Sequence, residues 1–105
     1  MGGKSARDKG ARGERELAEL LSNELGTMVK RKLGQARDGG DDIQVGRFRI
    51  EVKRRETLAV EQWAKQVEAA AEPGDVPVVA FRRNGEPWRA VVPMAWLIAA
   101  MREEL

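Results

Sequence analysis

The sequence predicts an α/β fold in which a mixed central β-sheet is flanked by helices, in the order α-β-β-β-α-β-β-α. Three observations carry that expectation. Two segments repeat apolar residues at helical spacing, one stopped by a glycine and the other by Pro73-Gly74. The run "VPVVAF" is apolar almost throughout, as expected of a strand buried on both faces. Gly46-Arg47 and Asn84-Gly85 each interrupt strand-like stretches and read as hairpin turns.

Along the chain, residues 1–10 read as a flexible basic arm and residues 11–105 as one domain, since 105 residues suffice for a single core but not for two. Leu17, Leu20, Leu21 and Leu25 recur on one side of a helix beginning near Gly13, and Gly26 suits its C-terminal stop. "TMVKRKL" (27–33) is expected to be a strand and "GQARDGGD" a loop. Residues 43–45 and 48–53 form two strands around a two-residue turn with glycine first. Val60, Trp63, Ala64, Val67 and Ala71 share one face of a second helix spanning roughly 58–72. Pro87 places the strand after Asn84-Gly85 at a sheet edge, because proline cannot donate to a ladder. Pro93 opens the last helix, where its missing N–H costs nothing.

Composition narrows the chemistry. With no cysteine and no histidine, disulfides, thiolate or imidazole metal sites and a histidine base are excluded. A metal would have to be held by oxygen, which favours magnesium or manganese. No apolar run approaches the roughly 20 residues that span a bilayer, and the N-terminus lacks a signal-peptide core, so a cytoplasmic protein is expected. The formal charge is only +2, but basic residues cluster at 30–32, at 53–55, and at Arg82, Arg83 and Arg89, a pattern that suits phosphate binding.

The stretch "DDIQVGRFRIEVKRR" raises the sharpest question. Counting outward from the turn, Val45 faces Phe48, Ile43 faces Ile50, and Asp42 faces Glu51. Arg49, Glu51 and Lys53 point to one face and Phe48, Ile50 and Val52 to the other. Two carboxylates on directly opposed residues repel. Lys53 is about 6.5–7 Å along the strand from Glu51 and does not by position alone neutralise both. A divalent cation would, and it could activate water and stabilise a leaving oxygen at a phosphodiester. Lys53 would then orient the attacking water or offset charge on the phosphorane. On the first helix Glu14 falls within the apolar stripe and Glu16 at its border. A carboxylate facing the sheet is costly without a partner, so Glu14 is a further candidate ligand.

"KGARGERELAELL", "DGGDDIQV" and "IEVK" together resemble the PD-(D/E)XK nuclease superfamily, most closely its archaeal-type Holliday junction resolvase branch and small phage or bacterial relatives. The resemblance covers roughly residues 9–81 and implies a restriction-endonuclease-like core with Mg2+-dependent (or Mn2+-dependent) hydrolysis of DNA. It implies Glu14, Asp42 and Glu51 as metal ligands, with Lys53 completing the catalytic set and Gln66 on the following helix orienting water or phosphate. It also implies Arg15 as a phosphate contact, and either Arg31 or Arg37 as the basic residue preceding the motif aspartate. Asp41 adjoins Asp42, but strand parity puts Asp41 off the face. Arg54 and Arg55, beside Lys53, are expected to bind DNA.

Trp63 is expected to lie in the core, and Trp88 and Trp96 to pack in the interior or at a subunit contact. The final helix, with Met94, Trp96, Leu97, Ile98 and Met101, is apolar around much of its circumference, which points to a buried helix or a dimer contact. The expectation is therefore an endonuclease for branched DNA acting as a homodimer. The alternatives are a nuclease for linear, flapped or damaged DNA, and a non-catalytic DNA-binding module.

Overall fold

A computed structural model of the chain describes residues 2–32 and 42–105, with side chains from residue 10 onward. The elements are α1 (Gly2–Leu25), β1 (Ile43–Val45), β2 (Phe48–Arg54), α2 (Val60–Ala70), β3 (Val76–Arg82), β4 (Arg89–Val91) and α3 (Met94–Glu104). The four strands form one mixed sheet in the order β1-β2-β3-β4. β1–β2 and β3–β4 are antiparallel, and β2–β3 is parallel, as the α2 crossover between them requires.

Two expectations change. The first helix begins at Gly2 rather than near Gly13, so the stretch read as an arm is helical. Lys4, Ala6, Arg7 and Lys9 are good helix formers, and no proline interrupts them. The described part of the strand expected at 27–33 forms no named strand; an isolated antiparallel bridge joins Arg31 to Ile43. The order among the described residues is thus α-β-β-α-β-β-α.

α1 is anchored by a close approach. A Cβ at Gly13 would overlap the Arg54 side chain at its Cγ and Cβ, so only glycine lets the helix lie this near the end of β2. Gly26, at φ 68°, stops the helix in the left-handed conformation, and its N–H donates to the Ser22 carbonyl (3.0 Å). Ser22 Oγ then donates to the Ala18 carbonyl and accepts from the Val29 N–H, both at 2.8 Å. That turn drops Val29 into the core and directs Arg31 back toward α1.

The β1–β2 turn behaves as counted. Gly46 has φ 55° and Arg47 has no positive φ, the pattern of a type II′ turn, and the register is Val45↔Phe48, Gln44↔Arg49, Ile43↔Ile50. One sheet face carries Leu17, Ala18, Val29, Ile43, Ile50, Val52, Val76, Val78 and Ala80, with Trp96 of α3 packed against it. The other carries Trp63, Val67 and Val79 beneath α2. Burying Ile43, Val67 and Val79 almost completely contributes about 1.5–3 kcal/mol each. β3 feeds both clusters, which is why its sequence shows little alternation.

Candidate active site

Asp42 is fastened at both ends to the residues that flank Glu51. Its N–H donates to the Ile50 carbonyl (2.8 Å), and its Oδ2 accepts from the Val52 N–H (2.9 Å). The Asp42 carbonyl in turn accepts from the Lys32 N–H (2.8 Å). The turn fixes the register as far as Ile43↔Ile50, and the Asp42 hydrogen bonds to Ile50 and Val52 hold its carboxylate near that of Glu51.

Glu51 is only 5% exposed, and its Oε2 lies 2.9 Å from Lys53 Nζ. The strand interval that separates the two Cα atoms is bridged by the flexible lysine stem. Lys53 Nζ also sits 5.9 Å from the Trp63 ring centroid, a cation–π arrangement. Trp63 packs at 5.9 Å on Phe81, the β3 partner of Lys53. Apolar walls thus surround an ion pair and strengthen it by excluding water.

Burial pushes the Asp42 carboxyl up from 3.8 to about 7, with the Glu51 charge and then Glu14 adding to the rise. The Val52 N–H and Lys53 oppose it without cancelling it. Of these influences Lys53 is the weakest on Asp42, and a positive charge placed between the two carboxylates would lower both. Asp42 and Glu51 offer hard oxygen donors in the small number that magnesium accepts while keeping its waters, so the residues present fit a divalent ion.

Glu14 lies near enough to raise the Asp42 pKa, but its Oε1 accepts from Arg31 Nε (3.1 Å). Among the described residues, no three carboxylates converge as a ready ligand set. Arg15 and Arg55 are exposed, as is Gln66 on α2. Arg37 and Asp41 lie outside the described residues.

Arg54 is engaged elsewhere. Its Nη1 donates to Glu16 Oε1 (3.4 Å) and its Nη2 to Asn84 Oδ1 (2.6 Å). Arg82 binds the same Glu16 through Nε (3.1 Å) and Nη2 (2.7 Å). That fork holds the Glu16 carboxyl below the usual carboxylate range. This Glu16–Arg54–Arg82–Asn84 cluster was missed as a unit. The border position of Glu16 and the basic cluster at Arg82 were its only signals. Arg49 is a second omission: Nη1 donates to the Ala70 carbonyl (2.7 Å) and Nε lies 2.9 Å from Asp75 Oδ2, tying β2 to the end of α2.

A family model described as "Phage putative PDDEXK endonuclease" matches residues 5–104. The chain belongs to this family. No curated protein and no solved structure matches it. The match to the PDDEXK endonucleases spans Asp42 and the Glu51-Val52-Lys53 triplet. It extends through α3, well beyond the stretch that carried the resemblance in the sequence.

Proposed function

We propose that the chain is a divalent-metal-dependent endodeoxyribonuclease, using Mg2+ or Mn2+, that works in the cytoplasm on branched DNA as a homodimer. The observation that supports the chemistry is the pairing of Asp42 with the flanks of Glu51 while Lys53 holds the Glu51 carboxylate. The preference for a four-way Holliday junction rests on the sequence resemblance to junction resolvases. The dimer supplies the two symmetric sites that a junction demands.

Asp42 and Glu51 would hold the ion, with Glu14 at the flank. When bound, such an ion supplies Lewis acidity to the phosphate and acidifies a water. Lys53, a compact ammonium on a mobile stem, donates to the attacking water or to a non-bridging phosphate oxygen and offsets the charge that develops there. Hydrolysis adds water across one P–O bond: the water oxygen bonds to phosphorus, and the leaving oxygen departs with a proton. Gln66, exposed on the α2 side, would orient water or phosphate. Arg31, held by Glu14, would meet the phosphate next to the scissile one. Arg15 and Arg55 would grip the backbone further out, giving affinity that falls with salt and reads no base. Arg54 would join them by exchanging Glu16 for a phosphate.

The test uses a synthetic four-way junction beside a linear duplex, each incubated with Mg2+, with Mn2+ or with chelator, and resolved on a denaturing gel. Paired symmetric nicks in the junction alone, lost with chelator, are the expected result. Cleavage of both substrates would remove the junction preference and leave the nuclease. Tight binding without cleavage in either ion would overturn the catalytic reading in favour of a DNA-binding module.

A further inference from the structure

α3 has 11 residues and none of them is buried. Trp96 turns inward, edge-on to Phe48 with ring centroids 5.5 Å apart. At 100° per residue, Met94, Ile98 and Met101, with Leu105 at the helix end, fall on the side opposite Trp96. Their exposures are 64%, 43%, 50% and 105%. An amphipathic helix normally turns its apolar stripe inward; this one has a second stripe facing solvent.

The spacing of that stripe identifies what it fits. Its intervals of four, three and four residues are those of a coiled-coil seam and read the same in both directions. An antiparallel copy would therefore set Met94 against the partner's Leu105, and Ile98 against the partner's Met101, with every position occupied. The charges agree. The first turn of α3 has no acidic residue, whereas Glu103 and Glu104 close it. Antiparallel pairing carries each acidic end to the positive end of the partner's helix dipole. A helix of this length spans about 16 Å, short for an interface that typically buries about 1,200 Å² or more. The apolar groove of about 490 Å³ between α3 and the C-terminal half of α1 lies on the Trp96 side, away from this stripe, so the contact rests on the stripe itself.

We propose that α3 is the interface through which two copies of this chain pair, antiparallel about a two-fold axis. The axis passes between Ile98 and Met101, and the stripe forms the centre of the contact. Such a pair holds two nuclease sites in fixed relation, so both strands of one DNA can be cut in one encounter. That consequence rests on the nuclease reading; the assembly does not, and its test reads mass alone.

The test is light scattering on chromatographed full-length protein across the micromolar range, with Ile98→Lys and Met101→Glu prepared separately. Lysine and glutamate are good helix formers and both sites are exposed, so circular dichroism should be unchanged in each variant. The wild type is expected to run as two chains and each variant as one. Mixing the two variants should restore the two-chain mass. In the mixed pair, one contact sets the introduced lysine against the introduced glutamate, while the other keeps Met101 against Ile98. A single-chain wild type, or either variant retaining the two-chain mass, would overturn the interface. Failure of the mixture to pair would overturn the antiparallel register.

Discussion

Asp42 couples the site to the solution around it. In the unfolded chain its carboxyl titrates near 3.8, and in the folded protein near 7. Between those values the folded state holds a proton that the unfolded state has released. The contribution to stability is therefore complete below 3.8 and is lost as the pH rises through 7. Asp42→Asn keeps the shape and abolishes that titration. Without added metal it should melt above the wild type at about pH 8, with the gap closing by about pH 4, as differential scanning calorimetry would read. A divalent ion held by Asp42 would compete with the same proton. It should therefore raise the wild-type melting temperature more at about pH 8 than at about pH 5, and raise that of Asp42→Asn far less. The hairpin register was legible at this scale, because a two-residue turn fixes it as far as Ile43↔Ile50. The Glu14–Arg31 and Glu16–Arg82 pairs were not, since each joins side chains far apart in sequence and leaves no periodic trace.

Among the elements, α1 offers two glycines with opposite roles. A Cβ at Gly10 would meet nothing within 4 Å, whereas one at Gly13 would collide with the Arg54 stem. Gly10→Ala should therefore stabilise by up to about 1 kcal/mol through helix propensity alone. Gly13→Ala gains the same propensity but incurs overpacking of about 1–3 kcal/mol, so it should lower the melting temperature. It should also displace Arg54 from Glu16. Thermal denaturation of the two variants side by side checks both signs. The β1–β2 hairpin, the α2 face and the edge position of β4 follow from turn chemistry and periodicity, and each was legible. The strand expected at 27–33 was not realised among the described residues. There Ser22 and an isolated bridge to Ile43 hold the chain, and no ladder extends from them. The extra length of α1 was obscured by its glycines, which read locally as a flexible segment.

Over the whole molecule, a four-stranded sheet separates two packing layers and carries its carboxylates where β1 meets β2. α1 and α3 cover one face, and α2 roofs the lysine on the other. Sheet, hairpin and roof serve one arrangement, in which Asp42 and Glu51 lie close enough to repel and Lys53 pairs with Glu51. No helix among the described residues is long and apolar enough to cross a membrane. Metal-dependent cleavage by this arrangement is tested most directly by Glu51→Gln. The variant removes one charge while keeping volume and hydrogen-bonding capacity. The measurement is the single-turnover cleavage rate of a branched DNA in Mg2+, alongside DNA affinity by fluorescence anisotropy, for wild type and variant. The expected result is a rate at least about a hundredfold lower, as for loss of a major electrostatic contributor, with affinity equal or tighter because a carboxylate that repels phosphate is gone. A Glu51→Gln protein that folds and cleaves at the wild-type rate would rule out metal-dependent cleavage at this site.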